Sequence, residues 1–546
     1  MSSATPPELG STGLLRSSSL MASGTITSRI TGLVKNSVLL AAIGNGVFAD
    51  TYTVANILPT VVYVLLIGGA INAVFVPQLV RHVKSDADKG EAYAQRLFTA
   101  VALVLFVLTV VSVIAAPWLV QLYGKDWSPR DVEVASAFAR FLLPQIFFYG
   151  LFAIVSQVLN THGRFGAPMF APIVNNVVII TTSSLFLYIA GTGTTTRTVT
   201  DTEIALLGIG TTLGAALQAG ALWPSLRRAG IRLRLRPDLR GSGLGKAWAL
   251  ARWTIVLVFI NQIGTLVAIR LASGVNATTD ADVGATVYSS AFTVFILPQS
   301  VITVSVVTAL LPQLSSHAAD GRLDIVRERI GWALRTTGSL VVPLAAALVV
   351  LGAPISVLLF RHGSFTAEAA QILGITLSAF ALGLPAFSAY YVLLRGFYAL
   401  EDTRTPTFNA FLLNGFNIGL AYLAVAVLPA DQAIPGLGLA YAAAYWVALF
   451  ALALQLRRRL GRLDGYLVVR THVRVLAASA FAAAVMAGCA YAAWRLVGPL
   501  DSAVVAAIVL LAGGIPGVGA YLIGVKVFSI TEVQAVMGMV LRRGGR

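Results

Sequence analysis

The sequence predicts an all-α polytopic membrane protein. About fourteen transmembrane helices form two pseudo-symmetric six-helix lobes, with two extra helices near the C-terminal end. Three observations carry this. The 546 residues are 57% hydrophobic and only 11% charged, with a mean hydropathy of +0.81, more apolar surface than a soluble chain can hide. Apolar stretches long enough to cross a bilayer follow one another from about residue 30 to residue 526. Features of the first half also return in the second, about 240 residues later. Ile57-Leu58-Pro59 returns as Ile296-Leu297-Pro298, Leu143-Pro144 as Leu384-Pro385, and Pro168 with Asn176 as Pro406 with Asn414. Six spans per repeat is an even number, so both halves insert the same way up, as a parallel repeat.

In chain order, residues 1–25 are rich in Ser, Thr, Pro and Gly, with Arg16 the one basic residue, and read as a disordered cytoplasmic tail and not as a cleavable signal. The N-lobe occupies 26–226, with spans near 30–48, 52–80, 96–116, 134–160, 166–190 and 203–226. Its second span is a poor plain anchor. Asn56, Pro59, Gly68, Gly69, Asn72 and Pro77 interrupt it, and such residues are tolerated in lipid where neighbouring helices or a wet cavity satisfy the backbone. The loop 227–246 holds seven basic residues against Asp238. It reads as a hinge on anionic lipid, with direct substrate capture as the alternative. The C-lobe follows at 247–456, with spans near 247–272, 284–314, 330–352, 367–398, 406–429 and 434–456. Residues 457–526 add a basic loop and two spans without a counterpart in the repeat. In 527–546, Val527, Ile530, Val533, Val536 and Val540 fall near helical spacing before Arg542 and Arg543, the pattern of an amphipathic helix on the cytoplasmic surface.

Charge sets the orientation. With the N-terminus inside, inner segments hold twenty-nine lysines and arginines, with Arg29 and Lys35 at the start of the first span counted among them, and outer loops hold five, namely Lys125, Arg130, Arg197, Arg361 and Arg495. Both termini are therefore expected in the cytoplasm. The net charge of +16 is spread over short loops, which points to anionic membrane lipids as partners and away from nucleic acid. A single cysteine, Cys489, excludes an intramolecular disulfide.

Catalytic motifs are missing: there is no P-loop, HExxH, cysteine-histidine cluster or GxSxG, and the five histidines are scattered in loops or at span ends. The chain reads as a transporter without a cofactor and not as an enzyme. Its informative feature is the sign of the charge inside the spans. Arg29, Lys35, Arg140, Arg252, Arg270, Arg335 and Arg395 fall there, whereas Asp50 and the other acids lie at span ends. A mid-bilayer charge costs roughly 2.5–3.5 kcal/mol, so the charges that remain usually line a path or meet a partner. Basic residues without acids suit an anion, and arginine's planar fork matches phosphate best. Arg29, Lys35 and Asn36 share a polar run in the first span, with Arg29 and Asn36 nearly on one helix face. Arg252, Arg335 and Arg395 near the inner ends, and Arg140 and Arg270 near the outer ends, have snorkelling as the competing reading. Amides such as Asn56 suit a sugar or peptide, or an interhelical hydrogen bond.

These residues also carry a family resemblance. SRITGLVKNS leading to GNGVFADTYTVANILP, then GGAINAVFVPQL, LNTHGRFGAPMFAPIVNN and GFYALEDTRTP, resemble the MurJ or MviN lipid II flippases, within the multidrug and oligosaccharidyl-lipid exporter superfamily. The resemblance covers about residues 26–526. It implies two lobes around a cationic cavity and alternating access that moves undecaprenyl-pyrophosphate-linked disaccharide pentapeptide across a bacterial inner membrane. Cell-wall synthesis and division proteins are the further partners it implies. The family's basic pair falls on Arg29 and Lys35, its acidic residue on Asp50, and a basic residue of the fourth helix on Arg140. Tyr63, Val64, Gly68 and Thr293 stand where many relatives carry charges, and Arg270 is the candidate to compensate. The competing functions are export of another undecaprenyl-linked glycan, multidrug cation antiport, and a membrane scaffold. Missing acids weigh against antiport.

Overall fold

The structure is a computed structural model and describes residues 11–65, 91–231, 234, 236, 244–279, 282–463 and 465–534. Among the described residues the chain is helical, with no strand. The first lobe runs through α1 (Ser11–Ile43), α2 (Val47–Tyr63), α3 (Glu91–Ile114), α4 (Ala116–Tyr123), α5 (Pro129–Leu142), α6 (Gln145–Thr161), α7 (Gly166–Ala190), α8 (Asp201–Gly220) and α9 (Trp223–Arg228). The second comprises α10 (Leu244–Thr278), α11 (Ala285–Pro298), a π-turn at Gln299–Thr303, α12 (Val304–Ala319), α13 (Leu323–Phe360), α14 (Ala367–Ala381), α15 (Leu384–Ala399), α16 (Arg404–Val427) and α17 (Ala430–Leu460). The two additional helices, α18 (Gly465–Val497) and α19 (Ala503–Val527), pack on one another and on α13.

Twelve helical segments among the described residues are long and apolar enough to cross a membrane, and the bent pair α14 and α15 passes the same test when taken together as one span. The chain is a multi-pass membrane protein. A further expected span starts in α2 and continues through residues outside the described ones, among them Gly68, Gly69, Asn72 and Pro77.

The repeat has a physical signature. Proline lacks the N–H that an intact helix needs and crowds the carbonyl four residues before it. At Leu143-Pro144 the fourth span breaks into α5 and α6, and at Leu384-Pro385 the chain bends by 45° between α14 and α15. The paired Ile-Leu-Pro segments behave alike: π-type hydrogen bonding follows Pro59 at residues 64–65 and follows Pro298 at Gln299–Thr303. Equivalent helices also meet through equivalent amides. In the first lobe Asn176 of α7 donates to Thr31 Oγ1 of α1 at 2.9 Å. In the second, Asn414 of α16 donates to Asn261 Oδ1 of α10 at 2.9 Å.

Both tails are described in part. Helix α1 begins at Ser11, so it takes in residues 11–25 of the expected tail. The last prolines before it are Pro6 and Pro7, and extending an existing helix costs far less than starting one. At the other end, Ile530 and Val533 are buried against Val342, Val475, Ala478 and Val525, so the start of the tail packs on the protein. Residues 535–546, with Val536, Val540, Arg542 and Arg543, lie outside the described residues.

The lobes are joined at the end of the bundle where α1 finishes, the distal end. Ser364 N–H donates to Ala41 O at 2.8 Å, Asn45 Nδ2 to Asp282 O at 2.8 Å, and Thr366 N–H to Asn45 Oδ1 at 3.1 Å. Thr53 and Thr286 share a hydroxyl hydrogen bond of 2.9 Å.

Candidate substrate cavity

Two cavities lie between the lobes and meet at one residue. The first, about 410 Å³, is walled by Thr25, Ser28, Arg29, Gly32, Lys35 and Asn36 of α1, by Pro168, Pro172 and Asn176 of α7, and by Thr293 and Leu297 of α11. The α1 residues recur every three or four positions, which places them along one helix face. Asn176 fixes that face against α7, donating to Ser28 O at 3.2 Å as well as to Thr31. Arg29 is exposed and Lys35 half-buried. The structure thus brings Arg29, Lys35 and Asn36 together in one cavity.

The second cavity, about 490 Å³, has Asn56 and Val64 from the first lobe. The second lobe contributes Asn261, Gln262, Tyr288, Asn414, Asn417, Tyr441 and Tyr445. Its described lining carries amides and phenols but no charged side chain. Gln145 holds Asn56 through a 3.4 Å hydrogen bond to Oδ1. A Cβ at Gly264 would collide with Asn414 Oδ1, so glycine there permits the close α10–α16 approach that the Asn414–Asn261 bond needs. Tyr441 and Tyr445 lie one helical turn apart with ring centroids at 4.7 Å. Thr293 borders both cavities, and its hydroxyl donates to Ser289 O at 2.9 Å within its own helix. Among the described residues, no carboxylate lines either cavity.

Three expected site residues lie elsewhere. Asp50 is fully buried in the lobe junction, where it accepts hydrogen bonds from Asn276 Nδ2 at 2.9 Å, Ala285 N–H at 3.0 Å and Thr286 N–H at 2.7 Å. It caps the N-terminus of α11, where free N–H groups and the helix dipole favour a carboxylate. Arg270 donates through Nη1 to Gln121 O at 3.0 Å and Leu122 O at 2.8 Å, capping the C-terminal end of α4 across the lobe boundary. Held on those carbonyls, Arg270 lines neither cavity. Arg140 is exposed and lines neither cavity. The other span arginines also find local partners. Arg335 pairs with Glu532 at 3.2 Å, Arg395 lies 4.4 Å from the Tyr391 ring centre, and Arg252 lies 5.9 Å from that of Trp253.

The tyrosines and Thr293 were not among the expected binding residues. Tyr441 and Tyr445, spaced by four on an Ala-rich helix, are the one sequence signal that marks the aromatic wall. Among the described residues, no group of three His, Cys, Asp or Glu side chains is placed to hold a metal ion.

Comparison with known proteins agrees with this geometry. The family model described as lipid II flippase MurJ matches residues 39–500. A probable lipid II flippase MurJ of Rhizobium meliloti is 29% identical over 500 residues, covering 90% of this chain and 89% of that one. The corresponding protein of Haemophilus influenzae is 28% identical over 418 residues, covering 73% and 79%. Among solved structures, lipid II flippase MurJ in an inward closed conformation superposes with a TM-score of 0.70 at 22% identity, covering 93% of this chain and 98% of that one. An inward-facing multidrug resistance MATE transporter of the MOP superfamily gives 0.64 at 14% identity, covering 81% and 99%. At such identities these structures speak to fold alone. The family model spans most of the chain, and the chain belongs to the lipid II flippase MurJ family.

Proposed function

We propose that this protein is a lipid II flippase of the bacterial inner membrane, carrying undecaprenyl-pyrophosphate-linked disaccharide pentapeptide from the cytoplasmic to the outer leaflet by alternating access. One observation carries the reading: among the described residues, a cationic cavity with no carboxylate lies beside an uncharged cavity of amides and tyrosines. Arg29 and Lys35 match a pyrophosphate, Arg29 through its fork of donors and Lys35 as a point charge. Asn36 and Asn176 extend hydrogen bonding from the same cavity. The sugars and peptide extend past Thr293 into the second cavity, where amides pair with hydroxyl and peptide groups and tyrosine faces accept sugar rings. The prenyl chain stays in lipid.

The lobes are taken as residues 26–226 and 247–456, with both termini cytoplasmic, a reading supported by twenty-nine inner against five outer lysines and arginines. The distal junction then closes the outer side while the cavity receives substrate from the inner leaflet. The membrane potential acts on the fixed positive charges with about 2.3 kcal/mol per charge per 100 mV.

The test is lipid II exposure in a bacterium depleted of its own flippase and complemented with this protein, scored by an externally added enzyme that cleaves exposed lipid II. The wild type restores cleavage and Arg29→Ala does not. A membrane-inserted wild type that restores none would overturn the assignment.

A further inference from the structure

Away from the cavities, a pocket of about 290 Å³ lies where α13, α18 and the segment after α19 meet. Its lining includes Arg335, Arg470, Arg474, Thr471, Glu532 and Leu467. Arg470 and Arg474 are one turn apart on α18, so both reach the same side of that helix. Among the described residues only one carboxylate balances the three arginines, and it is already engaged: Glu532 Oε1 accepts from Arg335 Nε at 3.2 Å and from Thr471 Oγ1 at 3.4 Å. Arg335 Nη1 is buried with no hydrogen-bond partner among the described residues. A buried guanidinium N–H without a partner is costly, and a ligand oxygen is the group that would satisfy it.

The surroundings say which phase the ligand comes from. Leu467 in the pocket wall is 46% exposed, and along the same helix Tyr466 is 76%, Val469 62% and Val473 59% exposed. Such a row of bare apolar side chains belongs in acyl chains, with the arginines at headgroup depth. From this juxtaposition we propose that Arg335, Arg470 and Arg474 form a binding site for the phosphate of an anionic lipid headgroup, with the acyl chains against the apolar face of α18. Glu532 competes for the Arg335 guanidinium and limits affinity. The site requires a membrane-spanning chain but does not depend on the lipid II reading.

The experiment uses the full chain purified in mixed phosphatidylglycerol and phosphatidylcholine micelles, with retained lipid counted by native mass spectrometry. Arg470→Gln with Arg474→Gln is expected to lower phosphatidylglycerol retention about tenfold, consistent with the pull of two interfacial arginines, and to leave phosphatidylcholine unchanged. Glu532→Gln is expected to raise phosphatidylglycerol retention. It carries the test alone if the double variant does not fold. Retention unchanged in the folded double variant, or unchanged or lower in Glu532→Gln, overturns the site. Inorganic phosphate that displaces phosphatidylglycerol from the wild type at equal concentration overturns the lipid source.

Discussion

Thr286 of the second lobe donates its backbone N–H to the Asp50 carboxylate of the first at 2.7 Å. Gly284, just before α11, makes this possible, because a Cβ there would collide with Oδ2 of Asp50. Hydrogen bonds to a charged group contribute about 1.5–3 kcal/mol each. Asp50→Asn and Gly284→Ala are therefore expected to shift the lobes toward separation at the distal end, by roughly tenfold or more in population. Spin labels at positions 197 and 362, in a Cys489→Ser background, measure it. A distance distribution identical to wild type for both variants would remove the latch role.

Thr293 joins the two cavities without a charge. Lys35→Ala is expected to weaken lipid II binding about tenfold, the scale of one charged hydrogen bond. Adding Thr293→Arg should return most of that loss, since the new guanidinium enters the same cavity. Titration of the purified variants with lipid II reads both effects as Kd.

Arg270 serves the carbonyls at the end of α4. Arg270→Ala should lower stability by about 1 kcal/mol and leave lipid II affinity within twofold of wild type, about the noise expected for a residue outside the site. Melting temperature and Kd on the same sample separate the roles. A large affinity loss with an unchanged Tm would return Arg270 to the binding set.

Asp402 joins α15 to α16 and lies outside the spans. Burial alone would raise its pKa, but the Thr405 hydroxyl at 2.6 Å, the Thr405 N–H at 2.9 Å and Arg459 at 2.8 Å outweigh it, and the carboxyl sits below its usual value. A depressed folded value means the stabilisation is present above the unfolded pKa of about 3.9 and lost as pH falls through the folded one. Asp402→Asn is expected to melt lower at neutral pH and to lose less on acidification below about pH 4. Melting curves from pH 7 to pH 3 check it, and parallel curves for the two proteins would refute it.

Much of this was legible in the residues. Paired prolines mark the helix breaks because a missing N–H acts locally, and Arg29 and Asn36 share a face because helical periodicity is local as well. The roles of Asp50 and Arg270 were not legible. Each meets the end of a helix more than a hundred residues away in sequence, and nothing at positions 50 or 270 records which helix ends there. The aromatic wall was missed for a related reason: tyrosine on an apolar helix reads as core until its neighbours are known, and only Tyr441 with Tyr445 gives a local sign.

The distal junction is fastened by amides, hydroxyls, backbone groups and one carboxylate. Water can replace every one of these partners nearly one for one, whereas a seam of leucines pulled apart would face water with nothing in exchange. A seam of this kind is wettable. It holds firmly while dry; when it parts, the polar partners take up water, and the apolar cluster that runs through both lobes, with Ile43, Val283 and Phe365, favours its closing again.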